Sequence, residues 1–384
     1  MMIQTVFYIF AIMLLACSTF SEEKTRLHST SIYKKEKLPV YIPFSFKIDP
    51  MKRLLLVNFE KDPDSLYIGL EPQYFNDPIN GKGLLVIAWR RDMKIDVYHE
   101  ASLSPDPSKF DIAGNGLGEM HEVDFKRKIF EIQENGVRAD IIFSDKMDRP
   151  VEIFIAEAHP KKRKPFGLLA PMGEAATHPS AMPLILLHDF YFVRRRHTDY
   201  HVNINGKAHK LDKLPIPMDG TWMLFARYSP DPFIVTFNPT YTGKLEPTKV
   251  SDDRLIWQRN GDAMELKQAR AIGDKHQIEL TFSPAFPQFN FLKEGTDIRG
   301  KFEIKSSERT GRITGTYQVT CSHDGVQIEL RPEGGWHPKT DKLSLKFLYS
   351  VAKTFKNWPK SYVWSSKLKF KDGAWEMDSS WKRI

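Results

Sequence analysis

Along most of this chain apolar and polar positions alternate with a period of two. Leu85, Ile87 and Trp89 alternate, Arg90-Arg91-Asp92 turns the chain, and Ile95 and Val97 resume the alternation. The pattern repeats at Phe130 and Ile132, at Val137, Ala139, Ile141 and Phe143, and at Val151, Ile153 and Ile155. Later it returns at Ile278, Leu280 and Phe282, at Val326, Ile328 and Leu330, and at Leu343, Leu345, Phe347 and Tyr349. Successive side chains of a strand point to opposite faces, so each run predicts a strand with one face buried. Asn135-Gly136 falls between two such runs. The same device recurs at Asn80-Gly81, Asn205-Gly206, Asn260-Gly261, Asp324-Gly325 and Asp372-Gly373. These pairs tolerate the positive φ that tight hairpin turns demand, so they predict hairpins. Only residues 173–177 and 352–358 offer a turn or two of helix. The expectation is an all-β, antiparallel, hairpin-rich barrel or sandwich.

The first segment is different. Residues 6–17 form an unbroken apolar run, too short for a membrane span of ~20 residues and placed where an export signal sits. It ends in Leu14-Leu15-Ala16-Cys17, which closely resembles the lipobox of bacterial lipoproteins. That resemblance implies a signal peptide over 1–16 and a diacylglyceryl group on the thiol of Cys17. Two or three acyl chains suffice for stable anchoring where one does not. By the same resemblance, Ser18 after the lipidated cysteine implies passage to the outer membrane of a bacterial envelope. Residues 17–39 then read as the lipidated cysteine and a flexible tether, being polar and without an apolar period. The body divides into an N-terminal β lobe (40–158), a proline-rich basic stretch (159–183) and a C-terminal β lobe (184–384). The alternative is one large sheet system in which 159–183 is a long loop beside a ligand. Two successive β lobes are similar in layout to two-lobed lipocalin-like proteins, the group that includes carotenoid hydratase-type proteins. That likeness implies lipocalin-like lobes; it carries no active-site residue with it.

Composition narrows the partners. An apolar fraction of 41% with 12% aromatics can build a core. A net charge of +8 attracts anions; outside the cytoplasm these are lipid or lipopolysaccharide headgroups, and nucleic acid is not expected. Cys321 shares its alternating face with Tyr317 and Val319 and reads as a core residue.

Several groups are chemically suggestive. His197, Asp199 and His201 would share one face of a strand, with His188 as a further partner. That set could bind zinc, or act as acid and base in a hydrolase or isomerase working on lipid or glycan. Lys161, Lys162, Arg163 and Lys164, with Arg194, Arg195 and Arg196, could meet anionic headgroups. Trp336 and His337 follow two glycines and could stand at a cavity mouth. The chain lacks a Gly-x-Ser-x-Gly elbow, a His-Glu-x-x-His and a phosphate loop. The leading expectation is therefore a lipid-anchored envelope protein holding an apolar or amphipathic ligand in a β cavity. An envelope enzyme and a surface adhesin or assembly component are the alternatives.

Overall fold

Apolar alternation becomes stacked sheets here because each strand has one side to hide. The structure is a computed structural model that describes residues 28–34, 38–110, 115–170, 179–218, 220–307, 309–340, 342–351 and 357–384. It is mostly β, with 60% strand and 5% helix. The described strands form three sheets.

Sheet A has ten strands. From one edge these are Phe46–Pro50, Pro232–Phe237, Met182–Arg194, Met223–Ser229, Arg53–Asn58, Tyr67–Asp77, Gly81–Arg90, Lys94–His99 and Gly116–Glu122, with Phe166–Ala170 added on Met182–Arg194. Its last pair is parallel and the others are antiparallel. Sheet B runs Lys207–His209, Thr198–Ile204, Pro150–Glu157, Gly136–Ser144, Arg127–Gln133. Val137, Ala139, Ile141, Val151, Ile153 and Ile155 of sheet B pack on Leu55, Val57, Leu70, Leu84, Val86 and Ala88 of sheet A. Each larger side chain hidden this way contributes roughly 1.5–3 kcal/mol. Strand Gly81–Arg90 is buried on both faces: Leu84 and Val86 face sheet B, whereas Leu85 and Ile87 face a separate cluster with Leu103 and Phe110.

Sheet C has nine strands: an eight-stranded meander from Leu255–Asn260 to Ala374–Arg383, with Tyr241–Lys244 paired to the last of these as the other edge. It curls around an aromatic core that includes Phe282, Phe286, Tyr317 and Trp364. The chain entering from residue 38 threads into this curl. The Phe44 ring lies 4.8 Å from Phe286, 5.2 Å from Phe282 and 5.8 Å from Trp364. Trp358, Trp364 and Trp381 are fully buried, so the tryptophans of this half build the core.

The expected division at 159–183 does not separate the sheets. Strands from both sides of it pair in sheet A, and Thr198–Ile204 pairs with Pro150–Glu157 in sheet B. The sheets change over after Phe237 instead. The reason lies in strand Met223–Ser229, whose buried Leu224, Ala226 and Tyr228 complete the core beneath sheet B. The expected tether is also seated over its described residues 28–34. Tyr33 is buried, stacks on Phe291 at 5.7 Å and donates its hydroxyl to Glu265 Oε1 at 2.6 Å. Cys17 and the lipobox lie outside the described residues.

Two local expectations are corrected. Residues 343–349 form no strand; Leu343–Val351 is a helix, α1. Its alternating pattern splits, with Leu345 and Tyr349 buried while Leu343 and Phe347 are exposed. Of the helical turns expected elsewhere, 173–177 and 352–356 lie outside the described residues. Asn135-Gly136 does not occupy the two turn positions either, since Gln133 pairs with Gly136 and the turn is Glu134-Asn135. Gly136 is needed for close packing: a Cβ there would stand 2.1 Å from the Glu157 carbonyl oxygen. By contrast Asn205-Gly206 (φ 53° and 75°) and Asp372-Gly373 (φ 50° and 79°) are tight turns with both residues at positive φ.

Candidate ligand-binding cavity

The curl of sheet A forms a partly open cavity of about 210 Å³. Its walls come from strands that are distant in the sheet. Leu54, Glu71, Gln73, Phe75, Leu85 and Ile87 line one side, and Ile185, Ile234, Thr236 and Asp49 line the other. The alternation places them: register pairs Gln73 with Leu85 and Glu71 with Ile87, while Leu70, Leu84 and Val86 point to sheet B. On the far side Ile185 is registered with Ile234, and Asp49 with Ile234. Leu103, Pro105 and Phe110 form part of the cover, and Pro179, Ser180 and Ala181 another part. The end of the proline-rich stretch thus borders the cavity. Lys109, in the short helix Pro107–Lys109, forms an ion pair with Asp49, which also accepts a 2.9 Å hydrogen bond from Thr236 Oγ1. This pair clasps the cover to the edge strand.

An apolar space of this size exceeds the ~150 Å³ cavity that takes a benzene ring. It holds a buried polar handle. Glu71 accepts from Gln73 Nε2 at 2.8 Å and from Trp89 Nε1 at 3.0 Å. Burial pushes its carboxyl above the ordinary carboxylate range, against those two donors and the charge of Arg227. Arg227 is itself half-buried beside Phe225, and burial brings its guanidinium down to about 10. Apolar walls with a few convergent polar groups are the usual anatomy of a small-molecule site. Glu71 and Gln73 escaped the sequence reading. Their signal was present as two polar residues on alternate positions of a strand whose neighbours are apolar.

The histidine group is not brought together. His197 stands at a turn with φ 58° and meets His159 edge-on at 5.2 Å. Asp199 is exposed. His201 lies on Phe154 at 5.1 Å and pairs with Glu152 at 3.3 Å. Among the described residues no group of three or more His, Cys, Asp or Glu is arranged for a metal ion, zinc included. His197, at positive φ, stands in the turn before strand Thr198–Ile204, so of the three only Asp199 and His201 belong to that strand. His188 sits elsewhere, buried where sheet A meets sheet C. Its ring stacks on His276 at 3.7 Å, with Ser306 Oγ 3.1 Å from Nε2 and Ser307 Oγ 3.3 Å from Nδ1. Ser306 donates its proton to the Gln277 carbonyl at 2.6 Å, so its hydroxyl is engaged in holding the turn.

The basic runs split by role. Arg163 stacks over Tyr191 and Tyr228 (4.3 and 4.9 Å) and donates to the carbonyls of Gln133 and Glu134. Arg194 is buried and donates to the Lys161 carbonyl at 2.7 Å. These two cations fasten loops. Lys161, Lys162, Lys164 and Arg196 are exposed, and Arg195 is half-buried. Trp336 and His337 point to opposite sides of their strand. Trp336 is buried and donates Nε1 to the Thr310 carbonyl at 3.0 Å, while exposed His337 lies 2.9 Å from Thr314 Oγ1. Their two glycines serve the protein's own packing, since a Cβ on Gly334 would meet Thr314 Oγ1 at 2.1 Å. Cys321 is half-buried beside the core, and burial raises its thiol pKa. No family model, curated protein or solved structure matches this chain.

Proposed function

We propose that this protein is a lipid-anchored protein of a bacterial envelope that holds an apolar or amphipathic ligand in the cavity of sheet A. The observation that carries this reading is the apolar cavity bordered by the Lys109–Asp49 clasp and furnished with Glu71 and Gln73. Leu54, Leu85, Ile87, Ile185 and Ile234 would surround an acyl or other hydrocarbon tail, driven by removal of apolar surface from water. Glu71 would accept a hydrogen bond from a hydroxyl or amino head. A protonated Glu71 could instead donate to a carbonyl. The anchor at Cys17 would keep the cavity close to a source of such molecules.

The test is native mass spectrometry and lipid extraction of membrane-purified protein, followed by titration with a fluorescent fatty-acid probe. Ile87→Trp fills the cavity, and its overpacking cost of ~1–3 kcal/mol leaves a folded protein to measure. The expected result is a co-purifying lipid and at least about tenfold weaker probe binding in Ile87→Trp, which is a loss of ~1.4 kcal/mol. Recovery of no ligand, with probe binding indifferent to Ile87→Trp, overturns the reading. A purified chain retaining residues 1–16 without an acyl group overturns the anchor alone.

A further inference from the structure

Helix α1 carries an apolar strip that the rest of the described chain leaves uncovered. Leu343 is 81% exposed and Phe347 52% exposed, one helical turn apart, whereas Leu345 and Tyr349 are buried on the opposite side. Residues four apart in a helix share a face, and residues two apart point nearly opposite ways. Alternating apolar residues in a helix therefore give two apolar faces, of which the body covers one. Exposed Lys346 flanks the uncovered face.

The sequence of α1 and of the stretch it touches is basic. From Lys342 to Val351 the sequence contains Lys342 and Lys346 and no Asp or Glu, and residues 160–173 add Lys161, Lys162, Arg163 and Lys164 without an acid. The fold brings α1 beside residues 165–167. Lys342 Nζ lies 3.6 Å from the centre of the Phe166 ring and 3.3 Å from the Pro165 carbonyl oxygen, and Tyr349 hydroxyl lies 3.5 Å from the Gly167 carbonyl oxygen. So exposed Lys161, Lys162 and Lys164 lead directly to the start of α1.

We infer that α1 and this lysine run form a membrane-docking face. Leu343 and Phe347 insert at the boundary of headgroups and acyl chains, and Lys346, Lys161, Lys162 and Lys164 meet anionic phosphates. An in-plane helix with bulky apolar residues on one side and lysines around it has the composition of an interfacial anchor. A cluster of exposed cations with no carboxylate in either stretch selects an anionic lipid surface over a neutral one. The inference does not depend on the cavity or on Cys17.

The test uses the full chain with vesicles of phosphatidylcholine containing about 30% phosphatidylglycerol, and with phosphatidylcholine alone. Acylation of Lys346 and hydrogen exchange over 343–351 are read by mass spectrometry. Anionic vesicles should slow Lys346 acylation about tenfold and protect the helix amides, and about 1 M salt should abolish both effects. The double variant Leu343→Ser, Phe347→Ser should lose that protection. Lys346→Glu, a surface change that spares the fold, should weaken vesicle binding by about fivefold or more. The reporter sits on the helix, so vesicle binding that leaves Lys346 unprotected counts against the inference. Protection that appears without vesicles as protein concentration rises would assign the strip to a second copy, and protection only by added acidic protein would assign it to a protein partner. Either result overturns the membrane assignment.

Discussion

His188 makes the contact between sheets A and C sensitive to acid, by an amount that can be worked out. The imidazole is 7% exposed and is stacked 3.7 Å from His276. Burial brings its pKa from an ordinary 6.5 down to about 4; His276 and Arg309 push the same way and Asp231 opposes them. A base whose folded pKa is depressed stabilises the fold while both states are neutral, above about pH 6.5. As pH falls, the unfolded chain takes up a proton that the folded chain refuses. The loss starts near pH 6.5 and is complete below about pH 4, where both states are protonated; it amounts to roughly 3 kcal/mol. Between pH 7.5 and pH 4.5 the share lost is about 2.5 kcal/mol. The perturbation is His188→Gln, which keeps a polar partner for Ser306 and Ser307 but cannot titrate. Urea unfolding of both proteins, followed by tryptophan fluorescence at each pH, gives the change in stability. Every other titrating group is common to the two chains, so the difference of their pH slopes isolates His188. The wild type should lose about 2.5 kcal/mol more than the variant across this interval. Parallel pH dependences would refute the reasoning and mean that the buried imidazole protonates without disturbing its neighbours.

Two further outcomes follow from the packing. Tyr33→Phe removes a donor from fully buried Glu265, which keeps the 2.8 Å hydrogen bond from Asn260 Nδ2; the expected cost is ~1–3 kcal/mol in thermal unfolding, with faster proteolysis at residues 28–38 than elsewhere. Gly136→Ala and Gly206→Ala separate two uses of glycine. Ala at 136 drives a methyl into the Glu157 backbone and should cost ~1–3 kcal/mol. At 206, where nothing lies within 4 Å of the added Cβ, only the φ of 75° opposes it, and ~1–2 kcal/mol is expected from the left-handed conformation. Equilibrium unfolding checks both. A neutral Gly136→Ala would return Asn135-Gly136 to the turn.

Strand content was legible because burial enforces a period of two. Val137, Ala139 and Ile141, like Val151, Ile153 and Ile155, are buried as their alternation required. Pairing was less legible. Hairpin signals describe neighbours in sequence, whereas sheet A joins Phe46–Pro50 to Pro232–Phe237, a match set by side chains from opposite ends of a long segment. The cavity was hidden for the same reason. Ile185 and Ile234 come to face Leu85 and Ile87 only once the sheet has curled, and no local pattern encodes curvature. Histidines drew attention by their spacing, yet His188 lies within strand Met182–Arg194 and His197 in the turn that follows it, at positive φ.

Residues 343–349 show where alternation misleads. A strand can hide an alternating pattern by burying one face, but it must then pair its backbone on at least one side. A helix satisfies its own backbone and needs no neighbour for that purpose, so it can form where no sheet edge is at hand. The cost falls on the side chains: the same alternation now points Leu345 and Tyr349 inward and Leu343 and Phe347 outward. A strand reading would have buried all four on one face. The helix instead leaves two of them in water, beside lysines and away from the cavity of sheet A. That exposure weakens the fold's own hydrophobic gain by up to ~1.5–3 kcal/mol per side chain relative to burial. A surface that recovers this loss on binding gives a physical reason for the pattern. The sequence at 343–349 is therefore better understood as a compromise between folding and docking than as a failed strand.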